Sequence, residues 1–310
     1  MTAPWVLNWS TNIDNDSYML FGSVLFFVGF LETMPTLSLR VLSPKLANFM
    51  MGFSLFWTAQ FHMSYVILFP FVLVSLFYQL KEKGNKTIPI LSFFLGCMIT
   101  ASLILPTYLK YGFESGGVSH AIRLNIENLS SFPTVLARFL SLACCEVARF
   151  IGANTADRLA YLGQNPWTAP FTVIAFILGI LQAVLLLGLG FRNKHPQKDW
   201  PSLRLLTLLT FWLVYLSFLF AIKAPAAHTY YLTLPVVMLY GFYAFSPWTG
   251  DKRFLTVAKV LLVCNIVFHI GLGVHNFQTK SLYMDRGIFV KAIQEKNYHL
   301  LGERRTDTLY

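Results

Sequence analysis

The chain has 310 residues, of which 55% are apolar and only 12% charged, with a mean hydropathy of +0.56. Soluble domains carry roughly 25% charged residues, so the composition excludes an ordinary soluble fold and indicates an all-α, polytopic integral membrane protein. The formal charge of +10 does not point to nucleic acid. Lys and Arg fall largely in short gaps between apolar runs, and no stretch combines a basic patch with exposed aromatics as single-strand binders do.

In chain order, residues 1–17 form a polar lead-in with carboxylates at Asp14 and Asp16. A span needs roughly 20 mostly apolar residues, and about eight are predicted: 18–36, 46–61, 63–80, 88–107, 168–191, 204–222, 227–247 and 255–276. Spans two and three come from one stretch, Leu46 to Leu80, that is too long for a single helix and is interrupted by Gln60, His62 and Pro70. The four cysteines (Cys97, Cys144, Cys145 and Cys264) show neither a disulfide framework nor zinc spacing. The start lacks the basic n-region of a secretory signal.

Charge orients the bundle. The first 39 residues contain no Lys or Arg, which places the N-terminus outside. Eight spans then put Arg40, Lys45, Lys81, Lys83, Lys86, Arg192, Lys194, Lys198, Arg204, Lys252, Arg253 and Lys259 in or beside the inside gaps. That is twelve of the 24 basic residues, the asymmetry expected of inner loops. Merging spans two and three would reverse it. The expected organisation is therefore 1–107 with four spans and a short outer tail, 108–167 outside, 168–276 with four spans, and 277–310 as an outer C-terminal tail. The outside segment of about 60 residues contains an amphipathic stretch, Val135 to Ile151, which fits the membrane interface and the side of the bundle equally well. In the tail, Arg286 to Gln294 is helix-like.

Polar groups near membrane depth need a cavity or a partner. Asp14 and Asp16 could act as a base or as metal ligands, but they also fit a solvated helix N-terminus. Glu32 reads as a structural residue near Arg40. Gln60 and His62 fit an outer turn or a site for an anionic group. From Lys223 to Pro235, Lys223, His228, Tyr230 and Tyr231 gather at the outer mouth of spans six and seven, where a lipid phosphate would sit. An aromatic belt with a snorkelling Lys explains the same residues.

These stretches resemble the polyprenyl-phosphate-sugar glycosyltransferases of the GT-C class, and within it the bacterial relatives of the dolichyl-phosphate-mannose–protein mannosyltransferases. Pro4-Trp5 through Trp9-Ser10-Thr11 and Asn15-Asp16-Ser17-Tyr18 look like the family's Pro-aromatic and polar element. Gln60-Phe61-His62 looks like its Gln-x-His turn, and His228-Thr229-Tyr230-Tyr231-Leu232-Thr233-Leu234-Pro235 like its late outer motif. The likeness covers most of residues 1–250 and only the later part of a full family member. It implies transfer of a sugar from a polyprenyl-phosphate donor to an acceptor at the outer face of a bacterial inner membrane. Lys223, His228 and Tyr230, with Tyr231 beside them, would hold the donor phosphate, while Gln60 and His62 line the same cavity. The family's acidic motif, which supplies the base and often contacts a divalent cation, is expected to precede residue 1. Asp14 and Asp16 do not match its position, so the catalytic residue stays unassigned and no cofactor is specified. The contrasting reading is a non-catalytic membrane protein: an inactive relative, a subunit of a split enzyme, or a transporter-like bundle.

Overall fold

A computed structural model describes residues 18–81, 87–111, 124–142, 144–147, 151, 154–192, 195–221 and 227–279. These residues are helical, with no strand among them. The helices are α1 (Met19–Glu32), α2 (Pro44–Ala59), α3 (Phe69–Lys81), α4 (Thr87–Tyr111), α5 (Phe132–Ser141), α6 (Thr155–Gln164), α7 (Ala169–Gly190), α8 (Trp200–Phe218), α9 (Ala227–Phe245) and α10 (Lys252–Thr279). Each of the eight expected spans falls on one of them. Among the described residues, five helical runs are long and apolar enough to cross a membrane: Met63–Lys81, Thr87–Pro106, Pro166–Gly190, Trp200–Phe218 and Lys252–Gln278. By contrast α1 has 14 residues and α2 has 16. At ~1.5 Å per residue neither reaches the ~30 Å of a hydrocarbon core by itself.

The divide between α2 and the run that follows is a built turn. Ser43 caps α2 by accepting from the Leu46 amide, with Pro44 at the first helical position. Beyond Ala59 the chain turns through Gln60–His62, and a 3-10 turn, Met63–Leu68, leads into α3. Glycines let α1, α2 and α4 approach closely. A Cβ on Gly29 of α1 would stand 2.4 Å from the Ala47 carbonyl, and one on Gly52 of α2 would stand 2.0 Å from that of Phe93 in α4. Within lipid, such backbone approach replaces the hydrophobic drive that associates helices in water. Polar side chains add register: Asn48 and Gln79 exchange two amide hydrogen bonds of 3.0 Å, and Gln79 also donates to Ser75, which donates to Thr33.

Within 108–167, the described residues from Asn125 to Val147 pack on the helices α7, α8 and α9. After a 3-10 turn, Ile126–Ser131, α5 runs back along α8. Asn128 donates to the Phe218 and Ala221 carbonyls, Tyr215 donates to Leu129, and the rings of Phe132 and Phe139 both meet Phe211. The Leu140 carbonyl accepts from Gln182, near the middle of α7. There the chain reverses at Leu142, whose φ of 52° is left-handed. Cys144 joins a core with α1, α3 and α9. Val147 and Ile151 lie with the start of α7 and the far end of α10, which carries the chain back. Of the amphipathic stretch expected over Val135 to Ile151, the part up to Ser141 is α-helix packed against α8, followed by the left-handed Leu142 and a 3-10 turn at Cys144–Glu146. Irregular backbone among apolar helices is tolerated where protein covers it. The expected helix at Arg286–Gln294 lies outside the described residues.

The turn after α5 carries the one ion pair found among the described residues. Arg138 Nε donates to Glu146 Oε1 at 2.7 Å, with the two side chains only 12% and 17% exposed. Removing one member of a buried pair leaves a charge in a low-dielectric site. Arg138→Met should therefore destabilise the protein by about 3–5 kcal/mol. Arg138→Met with Glu146→Leu should recover most of that loss, as read from unfolding in detergent.

At the opposite end of α7 and α8 the connection is tied to helix termini. Arg204 donates to the Gly190 and Arg192 carbonyls, and Trp200 Nε1 donates to Arg192. His195 stacks on Trp200 at 4.5 Å, and Trp200 stacks on Tyr240 at 5.2 Å. Burial holds the His195 imidazole below its ordinary value of 6.5 and Arg192 pushes the same way, against the Tyr243 backbone. A lowered folded value means that the neutral ring stabilises the fold above the unfolded value, and that this stability is lost as pH falls through it. Acidification from about pH 7.5 to about pH 5 should thus lower the melting temperature of the natural chain more than that of His195→Gln.

Candidate functional site

Two distant stretches meet at the start of α9. His62 has extended backbone (φ −156°, ψ 142°) and caps the following 3-10 turn: the Ser64 amide donates to His62 Nδ1 at 3.0 Å. The Ser64 hydroxyl lies 2.7 Å from the same nitrogen and 3.1 Å from the hydroxyl of Thr229, 165 residues away. Because Nδ1 accepts from a backbone N–H, the neutral ring carries its proton on Nε2. His62, Ser64 and Thr229 therefore form a hydrogen-bonded chain across the seam between the α2–α3 turn and α9. With Nδ1 unprotonated, the Ser64 hydroxyl donates to it and the Thr229 hydroxyl donates to Ser64, so the chain brings an imidazole and two hydroxyls together at one place.

α9 can sit at this seam because it faces two cores. Tyr230 and Tyr231 are adjacent and both buried, at 4% and 1% exposure. Successive residues on a helix point about 100° apart, and these two enter different clusters. Tyr230 packs with α5, α7 and α8, its ring centroid 5.4 Å from that of Phe218. Tyr231 packs with α1 and α3. Farther along, Pro235 stands inside the helix, where it cannot donate the usual backbone bond and loosens the turn before it. In that turn the Ser23 hydroxyl of α1 donates to the Leu232 carbonyl. Pro235 thus marks where α1 engages the helix by side chain.

The expected site residues separate accordingly. His62 reaches α9 through Ser64. Gln60 turns toward α4, donating to the Thr100 carbonyl at 3.0 Å, and serves the α2–α4 contact. Tyr230 and Tyr231 follow Thr229 in sequence but diverge into the two cores. His228 stands in the first turn of α9. Lys223, Asp14 and Asp16 lie outside the described residues. Sequence reasoning passed over Ser64 and the hydroxyl of Thr229, because a Ser or Thr at a helix start reads first as a cap. Their spacing does hold a signal: Ser64 follows His62 by two and Thr229 follows His228 by one. The Arg138–Glu146 pair was likewise missed, although two opposite charges eight residues apart in an apolar run invite pairing.

No protein-family model, curated protein or solved structure matches the chain.

If the seam is a coupled unit, Ser64 and Thr229 should behave as one interaction. Ser64→Ala and Thr229→Val should each destabilise the protein by about 1 kcal/mol, and the double variant should cost clearly less than the two combined. A double-variant cycle on melting in detergent measures that coupling.

Proposed function

We propose that the protein is a membrane glycosyltransferase of the GT-C type, in which the seam between the α2–α3 turn and the start of α9 holds the phosphate of a polyprenyl-phosphate sugar donor. The observation that carries this reading is the His62–Ser64–Thr229 hydrogen-bonded chain. It joins the two stretches whose residue types independently suited an anionic group. Lys223 and His228 supply positive charge, while the His62–Ser64–Thr229 chain supplies hydrogen-bonding groups. When the sugar leaves, negative charge develops on the phosphate oxygens, and donors already in position stabilise it without reorganising. A carboxylate base on the acceptor hydroxyl completes the reaction. On this reading eight helices cross the membrane, the seam faces the outer surface, and the basic ends of α7–α8 and α9–α10 face inside.

The test is binding and transfer by the full protein in membranes. Lys223→Ala combined with His228→Ala should abolish transfer from a polyprenyl-phosphate sugar and weaken binding of the polyprenyl phosphate at least tenfold, the loss of two charged phosphate contacts. Unchanged transfer and binding would overturn the assignment.

A further inference from the structure

A cavity of about 640 Å³ lies at the basic end of α7 and α8, away from the seam. Its walls are Leu186, Leu187 and Phe191 of α7 and Leu208 and Phe211 of α8, and Phe139 of α5 forms the roof. Three polar residues also line it, and two of them turn their polar atoms into backbone. Thr207 donates to the Leu203 carbonyl at 2.8 Å, and Tyr240 donates to the Leu186 carbonyl at 2.7 Å. The interior therefore presents hydrocarbon, which a polar ligand could not satisfy.

The third polar residue is Arg204. Its guanidinium is held at the end of α7 by the Gly190 and Arg192 carbonyls. From Arg204 to Trp212, which also lines the cavity, α8 rises ~12 Å. One cation at one end and a long apolar bore beyond it is the polarity of a lipid. The side openings agree: Phe191 is 78% exposed and Leu208 52% exposed, in a part of the chain built to be surrounded by bilayer. The mouth is also basic. Arg192 and Lys198 are exposed on the connecting loop, against a single acidic residue there, Asp199.

We infer that this cavity takes one acyl chain of an anionic membrane phospholipid, with Arg204 binding its phosphate and Arg192 and Lys198 favouring a net negative headgroup. Basic pockets between helices on one membrane face recognise lipid headgroups in this way. The α5 roof would then be supported by lipid from below, so occupancy should stabilise α5 and the turn after it. The site is separate from the donor seam, at the opposite end of α8 and α9.

Thermal unfolding of the full chain in detergent, titrated with phosphatidylglycerol or phosphatidylcholine, tests the inference. Phosphatidylglycerol should raise the melting temperature more than phosphatidylcholine does. Arg204→Gln should cut the phosphatidylglycerol affinity about fivefold, and Arg204→Lys should restore most of it. Leu187→Trp, which fills the bore from its lipid-facing side, should remove the response to both lipids while leaving melting in lipid-free detergent unchanged. This variant carries the test if Arg204→Gln is not recovered folded. Equal responses to the two lipids, or a phosphatidylglycerol response that survives both Arg204→Gln and Leu187→Trp, would overturn the inference. So would competition at this site by a polyprenyl phosphate, since the cavity would then serve the donor. Loss of donor transfer in the Lys223 and His228 variant, with the phosphatidylglycerol response intact, would keep the two sites distinct.

Discussion

Backbone that leaves helical geometry inside an apolar bundle must have its polar groups satisfied by protein, and the hairpin spanning residues 126–147 meets that constraint. Its entry is held by Asn128 and Tyr215 against the end of α8, its tip by Gln182, and its return by the Arg138–Glu146 pair. The left-handed Leu142 costs of order 1–3 kcal/mol, and it persists because both cores pack against it. Asn128 lies in an Asn-Leu-Ser sequon, yet its amide is committed to two carbonyls of the α8 end. The packing leaves no room for a glycan there.

Much of the remaining architecture follows from that insertion. Because α5 occupies the space beside α7 and α8, α9 is left with one face on the α5–α7–α8 core and another on the α1–α3 core. That two-faced position separates Tyr230 from Tyr231 and presents Thr229 to Ser64. The same insertion roofs the cavity above Arg204, so the hairpin bounds an apolar chamber on one side while its tip enters the core next to the seam helix on the other.

The two regions have opposite chemistry for a physical reason. At the seam, hydroxyls and an imidazole bond to one another, so the polar groups lie between elements. In the cavity, Thr207 and Tyr240 turn their hydroxyls into helix carbonyls, which leaves hydrocarbon facing inward. Side chains of the same types thus yield a hydrogen-bonding surface in one place and an apolar one in the other. The difference lies in whether a backbone acceptor is within reach.

Composition and charge by themselves determined the membrane class, the approximate helix ranges and the break at Gln60–His62. Those properties depend on the local run of apolar residues and on where the cations fall. Helix periodicity could also say that Val135–Ser141 has an apolar face, but that face fits an interface or a bundle equally well. Only the tertiary structure decided for the bundle, because the choice rests on Gln182 and Phe211, far away in sequence. Likewise the sequence held Gln60, His62, Tyr230 and Tyr231 as equals. Folding joined His62 to Thr229 through Ser64, sent Gln60 to α4, and buried the two tyrosines in separate cores. Partners 165 residues apart leave no trace in local spacing, since which faces meet is set by the packing of the whole bundle.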